Sequence, residues 1–155
     1  MSAKKQLQIK KILVAVDKSG YKDKALSYAL TLAISLKAEI TVIHVIEGIS
    51  YIAASRFAAS ASVIAQKDYH EALKKDANEL LKGMVQLGKD NGITVRTKVL
   101  TGSSVKETIL NYAKSQNVDL IIVGTKGMTG IAKFLMGSVA IDVIAHAHCP
   151  VLAVR

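Results

Sequence analysis

The sequence predicts an α/β protein: a single doubly wound parallel sheet of five strands, in the order 3-2-1-4-5, with helices on both faces. Short apolar runs alternate along the chain with longer segments whose apolar residues recur every three or four positions. That alternation is typical of βα units in a parallel sheet with right-handed crossovers. The apolar runs at 12–16 and 120–123 are predicted to be central, and the alternating run at 93–100 to be an outer strand.

The first βα unit begins with the apolar run at 11–16, which is followed by Asp17 and a turn. Ser19 is predicted to be the N-cap of the next helix, because serine commonly occupies that position. The buried face of this helix is predicted from apolar residues at helical spacing: Ala25, Ala29, Leu32 and Leu36. A second strand is predicted at 39–47, with His44 as a core histidine whose hydrogen bonds are satisfied.

The middle of the chain is predicted to form a connection, a long helix and an edge strand. Residues 48–62 are nearly uncharged and without periodicity, which favours a connection with some helix. The following helix ends at Asn91 and Gly92, and the positions that mark its face are Tyr69, Leu73, Asp76 or Ala77, Leu80, Met84 and Leu87. The strand at 93–100 alternates charged and apolar residues, as an edge strand with one wet face does.

The last third of the chain contains a glycine-rich loop between a strand and a helix. Ser104 and Glu107 form a capping-box pattern that starts a helix ending at Ser115. The apolar strand at 119–123 then leads into a loop with four glycines, and Ser138 is predicted to be the N-cap of the helix that follows. The glycines are Gly124, Gly127, Gly130 and Gly137. A helix N-terminus behind such a loop is suited to hold a phosphate.

The predicted strand order brings two distant loops together. In an open parallel sheet, ligands bind beyond the carboxyl ends of the strands where the strand order reverses, here between strands 1 and 4. Asp17 follows strand 1 and the glycine loop follows strand 4. Asp17 could therefore accept hydrogen bonds from ribose hydroxyls; the alternative is an aspartate that only forms a turn or caps a helix.

The pattern Gly124-x-x-Gly127, nine residues, then Gly137-Ser138, together with Asp17 and a terminal apolar strand at 149–154, resembles the nucleotide-binding branch of the universal stress protein family. The resemblance covers nearly the whole chain. It implies a Rossmann-like, adenine nucleotide alpha hydrolase-like domain over residues 1–155 that binds ATP or AMP, with Mg²⁺ or Mn²⁺ able to accompany the phosphates. Lys18, which intervenes before Ser19, departs from the usual family pattern.

The resemblance also implies which residues contact the nucleotide. Ala15, Val16 and Val45 would line the adenine slot, and Val123 would close its floor. Lys126 could meet the phosphates, as could Lys133. The full predicted set is Ala15, Val16, Asp17, Ser19, Val45, Val123, Gly124, Thr125, Lys126, Gly127, Gly137, Ser138 and Val139.

The function predicted from these features is a stress-response sensor or regulator, without catalytic residues and with at most slow or partner-dependent ATP hydrolysis. The sequence has no P-loop, no Gly-x-Gly-x-x-Gly after strand 1 and no nucleophile elbow. The alternative is a dimeric interaction module of the same fold that binds a protein partner and no nucleotide. A homodimer is predicted through residues 150–154, because an apolar edge strand needs a partner.

Composition narrows the remaining possibilities. The 155 residues carry a net charge of +9, but the basic residues are spread along the chain, so we expect no nucleic-acid binding. No uncharged stretch approaches the roughly 18 residues that span a membrane. The single cysteine, Cys149, is predicted to be a buried thiol, and a cytoplasmic location is expected. His146 and His148 are predicted to end a helix rather than to bind a metal.

Overall fold

The computed structural model describes residues 8–48, 60–125 and 136–155. Five parallel strands form one sheet in the order β3-β2-β1-β4-β5, which confirms the predicted topology. The strands are β1 (Lys11–Ala15), β2 (Glu39–Glu47), β3 (Val95–Gly102), β4 (Leu120–Gly124) and β5 (Val151–Val154). The helices are α1 (Lys22–Leu36), α2 (Ser60–Asp90), α3 (Val105–Ser115) and α4 (Ser138–His146).

The central strand β1 pairs with β2 on one side and β4 on the other. Leu13 lies beside Thr41 of β2 and Ile121 of β4. Both Leu13 and Ile121 have no exposed surface. A strand flanked by strands and covered on both faces has no need of polar residues, and this explains its continuous apolar sequence.

Each face of the sheet has its own hydrophobic core. Side chains alternate between the faces along each strand, so Ile12 and Val14 of β1 join one core and Leu13 joins the other. Helices α1 and α2 cover the first face, where Leu26 and Met84 are buried. Helices α3 and α4 cover the second. Within the described ranges, no helix is both long and apolar enough to span a membrane.

The structure corrects several local predictions. Ser19 is not the N-cap of α1: Tyr21 occupies that position without a side-chain hydrogen bond, and the helix begins one residue later. Gly137, not Ser138, is the N-cap of α4. Leu36 and Tyr69 are 44% and 60% exposed, so their apolar spacing did not place them in the core. Helical spacing alone does not separate a buried residue from one at the margin of the buried face.

Other local predictions are confirmed with adjusted bounds. The predicted edge strand is β3, which lies two residues later than expected. Helix α2 already includes residues 60–62, whereas residues 49–59 of the predicted connection lie outside the described structure. Gly92 after α2 has a φ of 72°, the left-handed conformation that glycine favours at a helix end. The Oγ of Ser104 accepts a hydrogen bond from the N–H of Glu107, as in a capping box.

Candidate functional site

A cavity of about 550 Å³ lies at the carboxyl ends of β1, β2 and β4, where the strand order reverses. Ten of the thirteen predicted site residues line it, and they come from the carboxyl ends of β1, β2 and β4, from the turn after β1 and from the start of α4. They are Ala15, Val16, Asp17, Ser19, Val45, Val123, Gly124, Gly137, Ser138 and Val139. Lys126 and Gly127 lie outside the described residues, as does Lys133.

Thr125 is the one predicted site residue in the described structure that does not line the cavity. It is 6% exposed. Its N–H donates to the carbonyl of Val154 at 2.8 Å, and its own carbonyl accepts from the N–H of Gly137 at 2.6 Å. Thr125 therefore connects the end of β4 to β5 and to the start of α4.

One wall of the cavity is apolar. It combines Ala15, Val45 and Val123 from the strand ends with Val105 and Ile109 from α3. Aliphatic side chains suit a flat, weakly polar ring, because they remove its faces from water without requiring hydrogen bonds. The wall is thus chemically compatible with a nucleobase.

Asp17 forms a tight turn at the end of β1. Its Oδ1 accepts a hydrogen bond from the N–H of Ser19 at 2.8 Å. Ser19 therefore takes part in this turn and does not cap a helix. The hydrogen bond also shows that Asp17 forms a turn, which was the alternative interpretation of this residue. Oδ2 of Asp17 has no hydrogen-bond partner among the described residues. A carboxylate oxygen at the cavity wall can accept hydrogen bonds from a ligand.

The next residue, Lys18, ties the same turn to α2. Its Nζ lies 2.6 Å from Oδ2 of Asp76, with both side chains about half exposed. The ammonium group holds the pKa of Asp76 below its ordinary value, first through the hydrogen bond and then through its charge. Lys18, which departs from the usual family pattern, thus forms a contact between the turn and the long helix α2.

The N-terminus of α4 faces the cavity through Ser138, Val139 and Ala140. Its N-cap, Gly137, has no side chain to accept a hydrogen bond. The first N–H groups of a helix have no partner within the helix and carry a partial positive charge, so this end can bind an anion. Gly137 has a φ of −61°, which any residue can adopt; positive φ is therefore not the reason for glycine here.

Sequence reasoning missed several residues that line the cavity. Leu73 comes from the middle of α2, and its apolar spacing gave no sign that it reaches the sheet edge. Tyr21 and Lys22 come from the start of α1. His44 is half-buried and its Nδ1 lies 2.8 Å from the carbonyl oxygen of Val16, so its ring is hydrogen-bonded as predicted, but it also lines the cavity.

The described residues contain no group of three or more His, Cys, Asp or Glu side chains that could hold a metal ion. Nδ1 of His146 instead bonds the carbonyl of Asp142 at 2.9 Å, at the end of α4.

The chain belongs to the universal stress protein family, whose model matches residues 8–155. It is similar to the universal stress protein MJ0531 of Methanocaldococcus jannaschii, with 34% identity over 146 residues that cover 94% of this chain and 82% of that protein. It is also 31% identical to the universal stress protein YxiE of Bacillus subtilis, over 94% of this chain and 98% of YxiE.

Solved structures share this fold. The universal stress protein UspA from Lactobacillus plantarum has a TM-score of 0.83 and 25% identity, covering 96% of this chain and 99% of its own. A universal stress protein from Archaeoglobus fulgidus in complex with dAMP has a TM-score of 0.65 at 22% identity, covering 96% of this chain and 99% of its own. A further solved structure, of a universal stress protein in complex with cAMP, has a TM-score of 0.64 at 20% identity, covering 96% of this chain and 98% of its own.

Proposed function

We propose that this protein binds an adenine nucleotide, ATP or AMP, in the cavity at the carboxyl edge of the sheet, and that it acts as a stress-response sensor or regulator. The observation that carries the proposal is that three kinds of group line one cavity: apolar residues at the strand ends, the carboxylate of Asp17 and the N-terminus of α4. A nucleotide presents the matching set of base, ribose and phosphate. The dAMP and cAMP complexes of two relatives support this choice.

Each part of the ligand has a partner in the proposed complex. The adenine ring lies between Ala15, Val45 and Val123, and the ribose hydroxyls donate to Asp17. The phosphates accept from the N–H groups of the first turn of α4, with Gly127 and Lys126 as further proposed contacts. Mg²⁺ or Mn²⁺ would be held mainly by phosphate oxygens and water. The described side chains that line the cavity do not form the catalytic arrangement of a fast ATPase. We therefore propose that ATP turnover is slow or needs a partner.

The direct test is thermal unfolding of the protein with and without ATP and Mg²⁺. A ligand at a hundred times its dissociation constant stabilises the folded state by ~2.7 kcal/mol, which raises Tm by several degrees for a domain of this size. AMP should also raise Tm, and GTP should raise it less if the apolar wall selects adenine. An unchanged Tm with millimolar ATP, AMP and Mg²⁺ would refute the proposal and leave the interaction-module alternative.

We also propose that the protein forms a homodimer through residues 150–154. Its residues 1–155 are proposed to form one domain, and its location is proposed to be cytoplasmic. Strand β5 pairs only with β4 among the described strands, and three of its four residues are only partly buried. The adjacent helix α4 exposes Ile141 by 51% and Ile144 by 44%. A second copy could pair with this edge and cover both side chains.

Sedimentation velocity at micromolar concentration tests the dimer. Ile141→Lys should shift the distribution towards monomer, because a charge would then replace an exposed side chain that the second copy is proposed to cover. Lys82→Ala, on the solvent side of α2, is the control and should leave the distribution unchanged. A wild-type protein that sediments as a monomer would exclude this interface.

A further inference from the structure

His44 makes a contact that its position in an apolar strand does not require. Its Nδ1 lies 2.8 Å from the carbonyl oxygen of Val16, across from β2 to the end of β1. A carbonyl oxygen can only accept a hydrogen bond, so Nδ1 must carry the proton in this contact. The side chain is therefore held in one ring orientation by the backbone of the neighbouring strand.

The carbonyl that His44 binds belongs to the peptide unit that joins Val16 to Asp17. The N–H of Val16 is bound as well, at 2.9 Å from the carbonyl of Ile43. Both polar backbone groups of Val16 thus bond to consecutive residues of β2. Because a peptide unit is planar, fixing this carbonyl fixes the plane from which the Asp17 turn begins.

The turn itself has one further internal constraint. Oδ1 of Asp17 accepts from the N–H of Ser19 at 2.8 Å, so the carboxylate plane is set relative to the turn. The direction of Oδ2 then depends on how the turn leaves the sheet. The contact between Lys18 and Asp76 also restrains the turn, but both of its side chains are about half exposed and such pairs contribute little.

We propose that His44 is a positioning residue for Asp17: through Nδ1–H and the Val16 carbonyl, it sets the direction in which the Asp17 carboxylate meets the ribose hydroxyls. The consequence for ligand affinity rests on the proposed function, whereas the consequence for the turn does not. His44 is thereby a determinant of ribose recognition that need not touch the ribose.

The test compares His44→Asn with His44→Leu. The amide of asparagine can donate from nearly the place of Nδ1, whereas leucine fills the space without a donor. His146→Leu is the matched control, because His146 also bonds a backbone carbonyl through Nδ1 but does not line the cavity. Circular dichroism and Tm establish whether each variant folds. If His44→Leu does not fold, the comparison is made between His44→Asn and His44→Gln, whose amide donors lie at different positions.

The first readout needs no ligand. Hydrogen exchange of the Ser19 amide, measured by NMR, reports the bond to Asp17. His44→Leu should speed this exchange roughly three- to tenfold, the range expected for one lost hydrogen bond, and His44→Asn should restore most of the protection. Unchanged Ser19 exchange in His44→Leu, or equal acceleration in His146→Leu, would overturn the inference even if nucleotide binds.

The second readout is the affinity for ATP and for 2′,3′-dideoxy-ATP, measured by calorimetry. His44→Leu should weaken ATP binding about tenfold and leave the dideoxy analogue nearly unchanged, because the effect passes through hydroxyls that the analogue lacks. An equal loss for both nucleotides would assign His44 to the base pocket instead and overturn the inference. Wild-type protein that binds neither nucleotide would refute the proposed function and, with it, this role in recognition.

Discussion

Polar groups at the amino ends of the strands, here called the amino edge, differ from those at the carboxyl ends, the carboxyl edge, in whether they have partners within the chain. At the amino edge, Oδ2 of Asp119 accepts the N–H groups of Lys10 and Lys11, both at 2.9 Å. Beside it, Arg96 pairs with Glu39 at 2.9 Å. At the carboxyl edge, Oδ2 of Asp17 has no hydrogen-bond partner among the described residues. One edge is closed by contacts within the chain and the other offers groups to a ligand.

The two ends of the strands also differ in the cavities beside them. The amino edge has a groove of about 290 Å³, in which Arg96 pairs with Glu39 and the Nζ of Lys11 donates to the carbonyl of Gln116 at 3.0 Å. The carboxyl edge has the larger cavity, with the N-terminus of α4 open to it. The strands of one parallel sheet run in the same direction, so one set of loops can specialise in holding the fold while the other binds ligand.

Asp17→Ala is the substitution that should show this separation most strongly. Losing a charged acceptor for the ribose hydroxyls should weaken ATP binding about ten- to a hundredfold, the range for hydrogen bonds to charged groups. The free energy of unfolding should fall less than in Asp119→Ala, because Asp17 accepts one backbone N–H, from Ser19, whereas Asp119 accepts two. Calorimetric titration measures the first and urea denaturation the second. Asp68→Ala, on the exposed side of α2, is the control; equal affinity for Asp17→Ala and wild type would contradict the assignment of the carboxyl edge.

Asp119→Ala should produce the opposite result. It removes the acceptor for two backbone N–H groups at the start of β1, so the free energy of unfolding should fall by about 1–3 kcal/mol. Asp119→Asn retains a carbonyl acceptor and should lose less. Nucleotide affinity should stay within about twofold of wild type, because the cavity is at the other edge. An affinity loss as large as that of Asp17→Ala would show that the two edges are coupled.

The strand order was predictable because it depends on how continuous each apolar run is. Strand β1 is buried on both faces and contains no polar residue between Ile12 and Val14, whereas β3 alternates and lies at the edge. A parallel sheet with those two constraints has few possible orders. The meeting of the Asp17 turn with Gly124 and Gly137 followed from that order, since topology alone places their loops together.

The parts of the site that the sequence did not reveal depend on side-chain direction and on tertiary contacts. His44 looks like any residue of an apolar strand, and its bond to Val16 depends on the register between β1 and β2. Leu73 reaches the cavity only because α2 crosses the sheet edge. Thr125 fits the loop pattern, yet its backbone hydrogen bonds turn it towards β5. None of these three contacts has a local sequence signal.

The pair of Glu39 and Arg96 predicts a smaller, pH-dependent effect at the amino edge. The hydrogen bond from Arg96, followed by its charge, holds the pKa of Glu39 below its ordinary value of 4.5. A lowered carboxylate pKa stabilises the folded state above the ordinary value, and the stabilisation disappears as the pH falls through the lowered pKa. Urea denaturation between about pH 6 and about pH 3 should therefore show a slightly shallower acid loss for Glu39→Gln than for wild type.

The control for this pH effect is Glu79→Gln on α2, an exposed carboxylate with no ion pair among the described residues. Its acid profile should match that of wild type. Both Glu39 side-chain contacts are exposed to solvent, so raising the salt concentration should reduce the difference between Glu39→Gln and wild type. Nucleotide affinity at neutral pH should be the same in all three proteins, because the ion pair is at the closed edge.

The reactivity of the Cys149 thiol gives the smallest expected effect, and it reports on the amino edge. Partial burial raises the pKa of its thiol, and the nearby carboxylate of Asp119 raises it further. Because the thiolate is the reactive form, iodoacetamide should alkylate Cys149 more slowly at neutral pH than it alkylates a small free thiol. Asp119→Ala should increase the rate modestly by removing one negative charge, and bound ATP should not alter it. A rate that falls when ATP binds would mean that occupancy of the carboxyl edge is transmitted along the strands to the amino edge, in contradiction to their separation.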